Sequence, residues 1–600
     1  MGEQRTGRWA RWLPAGYSLL LTLLITAPLL RPGYLLIRDA VSTPRSYPTD
    51  AALGLGDAAP RAVPQDGLLA ALSTVVDGGL LVKIILLAAL WAAGYGAAAL
   101  TRDLLRAPLA AQLVAVTLAL WNPYVAERLL QGHWSLLTGY AALPWTILAT
   151  VRLRAAARGS VADWAALAGC LAAAGLTPTG SLLAGATALA VAGRRKFAGV
   201  LLVAVLSCAP WLTATAVSGV AAEPSDPAGV AAFAARAEPG LATVGSLAGL
   251  GGIWNADAVP GSRTGPLAVL ATALLLVIVL LGVRRVAAAD GDPERTRARR
   301  ILLGMAGAAV VLPALAATPA GLAAMEWLVV EVPGAGLLRD TQKFVALAVP
   351  GYVLCAAAAC TALPRRMKSR RQTPENSPDH AEPEKSHTPP RAALPNRWAP
   401  ALAALFIGAL VLPLPDLAWG VGGQLRAVHY PDSWQETAGR VDGPGDIAVL
   451  PGGMFRRFPY SGSAPVLDPA PRMLPRDVLQ TGALPVAGRT VTGEGVRARR
   501  AEEVLLSGGP PADLAALGVG WVLVERDTPG PRGDSAITLA QLEPVHDTGD
   551  LALYRVPEVT TRPEPGHRAL VVGAHILWAA LLAAPLLAIG RRRRPRDPKA

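Results

Sequence analysis

Long apolar runs recur along the chain and constrain its fold more than any other feature of the sequence. The runs are about 15–22 residues long, close to the roughly 20 apolar residues that a helix needs to cross the core of a bilayer. Charged residues make up only 16% of the chain, against about 25% in soluble proteins, and they are concentrated between the runs. The sequence therefore predicts a polytopic α-helical membrane protein with about twelve transmembrane helices.

Basic clusters between the runs predict the orientation of these helices. The formal net charge is +13, and it lies in short loops and tails, as the positive-inside rule expects of the cytoplasmic side. No zinc-finger spacing or basic stripe interleaved with aromatic residues accompanies it, so we expect no nucleic-acid partner. Successive clusters are separated by even numbers of predicted spans. We therefore expect a multi-pass protein of the inner (plasma) membrane with both termini in the cytoplasm.

The apolar runs and the basic clusters together divide the chain into predicted segments. They are a cytoplasmic N-terminus (1–13), a core of about ten transmembrane helices (14–363), a disordered cytoplasmic linker (364–396), a transmembrane helix (397–417), an extracytoplasmic soluble domain (418–566), a last transmembrane helix (567–590) and a basic cytoplasmic tail (591–600). The core is predicted to carry external loops at 31–78, 122–134, 218–264 and 323–343.

The segment 418–566 has the pattern of a small α/β or α+β domain. Its apolar content falls, and short β-like runs appear at Ile447–Leu450, Trp521–Val524 and Leu551–Val556. Residues Pro511–Leu517 predict a helix that ends at Gly518 and leads directly into a strand. Because predicted spans flank the segment on both sides, we expect the domain to lie close to the outer surface of the membrane.

Several kinds of site are not indicated. The four cysteines all fall in apolar runs, which predicts small core residues rather than a disulfide framework. We find no phosphate-binding glycine loop ahead of a helix, no nucleophile elbow and no zinc-protease motif. The spans also lack the mid-membrane acidic and histidine residues of proton-coupled pumps. We therefore expect any catalytic or binding site to lie in the external loops.

The first external loop holds the candidate general base. Asp39 comes a few residues after the first span, where its carboxylate could accept a proton from a hydroxyl or help to hold a divalent cation on a phosphate. Its neighbour Arg38 could pair with a lipid phosphate, and Asp57 is the alternative base. The competing interpretation is that these residues simply solvate an exposed loop.

A second group of candidates lies between two spans. Glu127, Arg128 and His133 follow an Asn-Pro helix start and are mixed with tryptophan and tyrosine, a combination that suits a sugar ring. An interfacial aromatic belt with a helix cap explains the same pattern equally well.

The remaining candidates lie in two later loops. Arg339 and Lys343 are four residues apart, so on a helix they share a face and could hold an anionic headgroup, with Asp340 between them. Their predicted position on the external side is unusual, because lysine and arginine are normally more frequent in cytoplasmic loops. Trp254 and Asp257 lie in a Gly-rich loop that could contact a sugar, although the pattern favours a plain re-entrant or surface loop.

This layout resembles the GT-C superfamily of lipid-linked-sugar glycosyltransferases, in an Ala-, Arg- and Gly-rich composition of actinobacterial type. The resemblance rests on the many spans, the acidic first loop, the turn from Asn122 to His133, the Pro144-Trp145 step and the C-terminal soluble domain. It implies transfer of a sugar from a polyprenyl-phosphate donor to a cell-envelope glycan, with Asp39 as base and Arg339, Lys343 and Arg128 on the leaving phosphate. The sequence lacks the adjacent acidic pair that is common in the first loop of this superfamily.

The resemblance requires no nucleotide, and it leaves metal dependence open, with Mg²⁺ or Mn²⁺ as the candidate cation. Two other functions are open to a chain of this layout. A transporter or flippase of a lipid-linked precursor would show internal repeats and broken helices with polar residues at mid-membrane. A non-catalytic scaffold for envelope assembly would use the soluble domain to bind a partner and would tolerate loss of Asp39.

Overall fold

A computed structural model of the protein describes residues 2–57, 59–157, 159–218, 226–370, 399–486, 489–561 and 566–593. Most of the predicted linker and most of the predicted basic tail lie outside these residues. Their described portions, 364–370 and 591–593, continue the helices that precede them.

The first 370 residues are mainly helical because leucine and alanine, which lose little side-chain freedom in a helix, dominate the apolar runs. Proline occupies the first turn of several helices, where its missing N–H costs no hydrogen bond. The helices are α1 (Gly2–Thr26), α2 (Asp50–Leu53), α3 (Gln65–Leu72), α4 (Gly78–Leu105), α5 (Leu109–Leu120), α6 (Pro123–Leu130), α7 (Leu136–Ala155), α8 (Val161–Ala174), α9 (Pro178–Ala192), α10 (Phe197–Ser207), α11 (Ala209–Val217), α12 (Ala228–Ala232), α13 (Thr243–Ala248), α14 (Leu267–Ala287), α15 (Pro293–Ala316), α16 (Pro319–Glu331) and α17 (Val349–Arg370).

The described residues contain eight helical segments that are long and apolar enough to cross a membrane, or ten if two bent helix pairs each count as one span. The protein is therefore a multi-pass membrane protein, as predicted. The eight segments are Trp12–Leu30, Gly78–Leu105, Leu109–Leu130, Leu136–Ala155, Leu267–Ala287, Pro293–Ala316, Thr341–Thr361 and Arg568–Ala588. The bent pairs are α10 with α11, at 62°, and Ala399–Val411 with Pro415–Gly423, at 79°.

Two of the twelve predicted spans correspond to short helices. The predicted pair between Asp163 and Gly193 forms α8 and α9, which have 14 and 15 residues and are thus shorter than the bilayer core requires. A capping box at Ser160 and Asp163 starts α8, and the Thr177 side chain caps α9. These start signals set where both helices begin. Both helices pack against α7, and α8 also packs against the last helix of the chain.

The C-terminal segment is a mixed α/β region, in agreement with the sequence pattern. It follows α18 (Ala399–Val411) and α19 (Ala418–Gly423) and precedes α25 (Arg568–Arg593). Its strands are β3 (Ala427–Val428), β4 (Asp446–Leu450), β5 (Phe455–Arg456), β6 (Val466–Leu467), β7 (Leu484–Val486), β8 (Arg489–Val491), β9 (Val519–Glu525), β10 (Glu543–Asp547) and β11 (Leu551–Arg555). Its helices are α20 (Ser433–Ala438), α21 (Ala470–Met473), α22 (Val496–Leu506), α23 (Pro511–Ala516) and α24 (Ser535–Leu539).

A four-stranded sheet in the order β10-β11-β9-β4 forms the centre of this region. Strands β4 and β9 are parallel, and the other pairs are antiparallel. Every residue of β9 is buried, which explains the absence of polar side chains from Val519 to Val524, before Glu525 ends the strand. Trp521 and Leu523 belong to one hydrophobic cluster and Val522 and Val524 to another, so β9 contributes to the cores on both faces of the sheet.

The first loop of the chain pairs directly with the C-terminal region. Strand β1 (Tyr34–Ile37) lies between β2 (Ala40–Val41) and β3, and both pairings are antiparallel. Ion pairs join the same loop to the C-terminal region further along: Arg61 with Glu494, Asp66 with Arg472 and Asp57 with Arg497. The acidic first loop and the C-terminal domain therefore lie on the same face of the helix bundle.

Close packing of α14 against α17 depends on one glycine. A Cβ atom on Gly282 would lie 1.9 Å from the backbone oxygen of Cys355, whereas a Cβ on Gly304 of α15 would meet no atom within 4 Å. Small residues at such contacts let helices approach where lipid supplies no hydrophobic driving force.

We predict that Gly282→Ala destabilises the protein and Gly304→Ala does not. The first change forces the two helices apart and should cost about 1–3 kcal/mol, the usual range for overpacking. The second should be neutral or stabilising by up to about 1 kcal/mol, because alanine is the better helix former. Thermal unfolding of both variants in the same detergent checks this, and equal melting temperatures would contradict the packing described.

Candidate functional site

A large cavity lined by both charged and apolar residues lies between the helix bundle and the C-terminal domain. Its volume is about 1270 Å³, and its wall combines the first loop, the turn after α6, the loops around residues 254–257 and 336–343, and several segments of the C-terminal domain. Of the eleven candidate site residues from the sequence, nine line this cavity: Arg38, Asp39, Asp57, His133, Trp254, Asp257, Arg339, Asp340 and Lys343. The other two, Glu127 and Arg128, lie buried behind the wall.

The turn after α6 brings its polar side chains against Asp39. The Asn122 side chain accepts a hydrogen bond from the backbone N–H of Val125 and starts the helix, with proline at its first position. Gly132 then follows with φ of 84°, and a Cβ there would lie 2.3 Å from the nitrogen of Ala40. Only glycine suits both the left-handed backbone and this close approach. The turn between β1 and β2, with Asp39 in it, is thereby placed beside Gln131 and His133.

Asp39 is held through one of its two carboxylate oxygens. Its Oδ2 accepts hydrogen bonds from Gln131 Nε2 at 3.2 Å and from His133 Nε2 at 3.0 Å, and its backbone N–H donates to the carbonyl of Gln131. Among the described residues none donates to Oδ1. The carboxylate is thus oriented by the protein and keeps one oxygen for a ligand in the cavity.

Arg128 determines the tautomer of His133. Its Nη1 lies 3.1 Å from His133 Nδ1, and because a guanidinium can only donate, Nδ1 must be the acceptor. The proton of a neutral His133 therefore sits on Nε2 and is donated to Asp39. Burial lowers the pKa of His133, the hydrogen bond to Asp39 opposes this, and the nearby charges of Lys343 and Arg128 lower it further, so the net shift favours the neutral ring.

The same contacts keep Asp39 ionised. Burial raises the pKa of the Asp39 carboxyl, but the hydrogen bonds from His133 and Gln131 and the positive charge of Lys343 outweigh burial and hold the pKa below its usual range. Asp39 is therefore a carboxylate at neutral pH, the form that can accept a proton.

A buried ion pair lies behind this carboxylate. Arg128 is fully buried and binds Asp340 through two hydrogen bonds, Nη1 to Oδ2 at 3.0 Å and Nη2 to Oδ1 at 3.3 Å. It also donates to Gln342 Oε1, and its guanidinium lies over the Tyr124 ring. Burial raises the pKa of Asp340, yet the charges of Arg128 and Lys343 bring it down to about 2.

Lys343 and Arg339 present positive charge to the cavity. Lys343 Nζ lies 3.5 Å from Asp340 Oδ2, but the charge of Asp340 is shared with the bidentate Arg128. Arg339 lies 4.5 Å over the Phe233 ring and has no hydrogen bond or ion pair with any described residue. Burial and the neighbouring Arg61 lower the pKa of Arg339 to about 10, so it remains protonated at neutral pH.

Glu127 has a different environment from the one the sequence predicted. Its carboxylate is buried, accepts the backbone N–H groups of Gly252 and Ile253 at 3.2 Å, and accepts Gln342 Nε2 at 3.0 Å. These contacts attach the loop after α13 to α6. Both Glu127 and Arg128 thus position other residues in this structure and do not themselves face the cavity.

Three further candidates also have protein partners. Arg38, with φ of 45°, donates to the carbonyls of Leu130 at 2.6 Å and of Asp257. Asp57 accepts a hydrogen bond from Arg497 at 2.5 Å, so its charge is compensated by the C-terminal domain. The Asp257 side chain is exposed to the cavity.

Trp254 belongs to an aromatic and cationic cluster. Its ring meets Phe233 edge-on at 4.7 Å, and Phe233 in turn lies under Arg339. The next residue, Asn255, donates to Gln131 Oε1 at 2.8 Å, which links this loop to the residue that holds Asp39. The hydrogen-bond network is therefore completed by polar residues outside the predicted set of site residues. These are Gln131, Gln342 and Asn255.

No group of three or more His, Cys, Asp and Glu side chains that could hold a metal ion occurs among the described residues. Asp39 and its partner His133 do not form such a set. The chemistry considered below uses side chains of the chain only, and dependence on Mg²⁺ or Mn²⁺ stays an open prediction.

Comparison with known proteins identifies the fold. No family model and no curated protein matches the sequence. The chain is similar to the cryo-EM structure of arabinofuranosyltransferase AftD from Mycobacteria, with a TM-score of 0.54 and 18% sequence identity over 92% of this chain and 40% of that one. A mutant of the same protein gives a TM-score of 0.52 at 18% identity, over 92% of this chain and 41% of that one. The chain therefore shares a fold with this arabinofuranosyltransferase structure over most of its own length, in agreement with the fold predicted from the sequence. This chain spans about 40% of the length of the structures it matches.

We predict that removing Arg128 destabilises the protein far more than removing Arg61. Arg128→Met leaves Asp340 buried without its main counter-charge, which should cost about 3–5 kcal/mol. Arg61 forms a partly exposed ion pair with Glu494, so Arg61→Met should cost less than about 1 kcal/mol.

Melting temperatures in detergent measure both effects, and the double variant Arg128→Met/Asp340→Asn should recover much of the loss. Equal, small decreases for Arg128→Met and Arg61→Met would contradict the role assigned to the buried pair.

Proposed function

We propose that this chain is a GT-C-type glycosyltransferase that moves a sugar from a polyprenyl-phosphate donor to a cell-envelope glycan on the extracytoplasmic side of the membrane. The observation that carries the proposal is the Asp39 carboxylate, which is oriented through Oδ2 at the wall of a cavity that also contains the cations Arg339 and Lys343. The GT-C-like fold and the multi-pass helix bundle support it. Because the similar structure is an arabinofuranosyltransferase, an arabinofuranosyl donor is the first substrate to test.

The proposed reaction is a single displacement with inversion. The acceptor hydroxyl gives its proton to Asp39 Oδ1 while its oxygen bonds to the anomeric carbon of the donor sugar. The bond between that carbon and the phosphate oxygen breaks, and the electron pair leaves with the polyprenyl phosphate. An ionised Asp39 with a low pKa suits a base that takes the proton late, as the hydroxyl becomes acidic in the transition state.

Arg339 and Lys343 are the proposed partners of the leaving phosphate. Negative charge grows on the phosphate oxygen as the bond breaks, and preorganised cations stabilise it in a water-poor site. Arg339 lines the cavity and has no hydrogen bond or ion pair with a described residue, so its guanidinium N–H groups can donate to a phosphate there. Lys343 is adjacent to Asp340, which keeps its ammonium group in place.

Sidedness is part of the proposal. The first loop and the C-terminal domain contact each other, and the basic clusters such as Arg194, Arg195 and Lys196 belong to other loops. By the positive-inside rule those clusters are cytoplasmic, so the cavity faces outward. A donor that carries its sugar on a lipid phosphate reaches such a site through the outer leaflet and needs no nucleotide there.

The two alternatives make different predictions about Asp39. A scaffold would work without this carboxylate, and a flippase would move a lipid-linked precursor without transferring its sugar. The hydrogen-bond network around Asp39 favours catalysis, because a scaffold has no need for an oriented, ionised carboxylate with an open oxygen.

We predict that Asp39→Asn abolishes sugar transfer and Asp57→Asn retains it. The amide keeps the shape of the side chain but cannot accept the proton, so transfer should fall by at least about 100-fold, the lower range for general-base catalysis. The assay uses purified protein with radiolabelled polyprenyl-phosphate arabinofuranose or mannose and an oligosaccharide acceptor.

Matching melting temperatures for the two variants would show that the loss is chemical. Transfer by Asp39→Asn at the wild-type rate would overturn the assignment of the base, and a lack of transfer by the wild type across donors and acceptors would favour the scaffold.

We predict that His133→Phe shifts the acid side of the pH–rate profile to higher pH. Transfer requires ionised Asp39, so the rate falls as the pH drops through the Asp39 pKa. Phenylalanine removes the hydrogen bond that lowers this pKa while burial, which raises it, remains. The profile of kcat/KM for the acceptor, measured on both proteins, checks this; an acid side that stays unchanged or moves to lower pH would contradict it.

A further inference from the structure

A hairpin of the C-terminal domain lies directly beside Asp39. Strands β5 and β6 pair antiparallel, with Phe455 opposite Leu467 and Arg456 opposite Val466. The Leu467 N–H donates to the carbonyl of Arg38 at 2.8 Å, so β6 extends the sheet that the first loop forms. Neighbouring strands are about 4.8 Å apart, so β5 lies about 10 Å from the backbone that carries Asp39.

The two faces of this hairpin differ in character. Val466 and Arg456 point into the domain and are buried. Phe455 and Leu467 are half-buried and line the same cavity as Asp39. Because directly opposed side chains on paired strands lie next to each other, Phe455 and Leu467 form one apolar surface at the cavity wall. The same wall carries many charged and polar side chains, together with other apolar ones such as Trp254 and Val491.

A buried charge cluster holds the hairpin rigidly. Arg456 forms ion pairs with Asp468 at 2.9 Å and with Glu525, and it donates to the carbonyl of Gly453 at 2.7 Å. The backbone N–H of the next residue, Arg457, donates to the Thr528 hydroxyl at 2.9 Å. The position of Phe455 between these anchored residues is therefore set by the protein and does not depend on a ligand.

We propose that Phe455 and Leu467 form the binding subsite for the sugar residue of the acceptor glycan that receives the transfer. This inference rests on the proposed function. A sugar ring has a face of C–H groups that packs on an aromatic ring, and its hydroxyls then point towards polar groups at the edge. An acceptor ring seated on Phe455 would lie within reach of Asp39, which must take a proton from its hydroxyl.

The direction of approach assigns this subsite to the acceptor and the opposite wall to the donor. A lipid-linked donor arrives from the membrane. Of the cations for its phosphate, Arg339 lies just before the span Thr341–Thr361 and Lys343 lies in the first turn of that span. The hairpin belongs to the C-terminal domain, which a glycan reaches from the aqueous side. Trp254 and Phe233, which are clustered with Arg339, are the aromatic groups on the donor side.

The test is a comparison of three variants, each replaced by alanine: Phe455→Ala on the hairpin, Trp254→Ala on the donor side, and Phe197→Ala, an exposed residue at the start of α10 that does not line the cavity. With radiolabelled polyprenyl-phosphate arabinofuranose and a synthetic arabinofuranosyl oligosaccharide, the KM for each substrate is measured at saturating concentration of the other. Phe455→Ala should raise the acceptor KM by about tenfold, which corresponds to about 1.4 kcal/mol. Its donor KM should change less than twofold.

The controls keep the result specific. Trp254→Ala should raise the donor KM and leave the acceptor KM nearly unchanged. Phe197→Ala should change neither KM. Phe455→Trp should have an acceptor KM close to that of the wild type, because it keeps an aromatic face. An equal rise in both constants for Phe455→Ala, or an unchanged acceptor KM, would overturn the proposal.

A binding measurement separates this proposal from the proposed function. Calorimetric titration of the detergent-solubilised protein with the same oligosaccharide, without donor, needs no catalysis. Binding by the wild type that Phe455→Ala weakens by about tenfold would support the subsite even if no transfer occurred. Equal binding by both proteins, or no binding by the wild type, would overturn the subsite, while transfer lost in Asp39→Asn would still support the proposed function.

Discussion

Several parts of the cavity wall are attached to one short stretch of backbone, residues 34–41. Strand β1 pairs with β3 at the start of the C-terminal domain, the Arg38 carbonyl accepts the N–H of Leu467, and the Asp39 N–H donates to the carbonyl of Gln131. The Arg38 side chain also donates hydrogen bonds to the carbonyl of Leu130, at the end of α6, and to the carbonyl of Asp257. Because backbone hydrogen bonds have strict geometry, these contacts leave Asp39 one position, at the junction of the bundle and the domain.

Charge compensation explains why the interior behind Asp39 is stable. A buried guanidinium is costly unless its charge and its N–H groups are matched. Arg128 meets this condition with Asp340, Gln342, His133 and the Tyr124 ring. The same arrangement leaves His133 neutral with its proton directed at Asp39, so a contact that stabilises the fold also sets the protonation state of the candidate base.

The sequence predicted the helix bundle and the mixed domain, and nine of its eleven candidate site residues line the cavity, because each of these features leaves a local signal. Apolar length identifies spans, alternating and turn patterns identify β4, β9 and β11, and polar residues in loops between spans are visible directly. The short helices α8 and α9 were harder to recognise, since two adjacent apolar runs separated by a turn look like two spans unless the caps at Ser160 and Thr177 are weighed.

The features of the site that could not be predicted from the sequence depend on contacts between distant segments. Glu127 and Arg128 belong to the same loop pattern as His133, and only the packing of residues 251–253 and 340–342 against α6 shows that they are buried. The position of Phe455 near Asp39 depends on two pairings, β5 with β6 and β6 with the backbone of Arg38, and the second joins segments more than 400 residues apart. Strands of two residues have no recognisable sequence pattern of their own.

The attachment of the first loop to the C-terminal domain combines two kinds of force that respond differently to the solution outside the cell. The pairings of β1 with β3 and of Arg38 with Leu467 are backbone hydrogen bonds, which salt barely affects. The pairs of Arg61 with Glu494, Asp66 with Arg472 and Asp57 with Arg497 are partly exposed, and dissolved ions screen them over a Debye length of about 8 Å at physiological ionic strength. Rising salt concentration would therefore first weaken the ion pairs that hold residues 57–66 to the C-terminal domain. The backbone pairings of residues 34–41, which position Asp39, would stay intact.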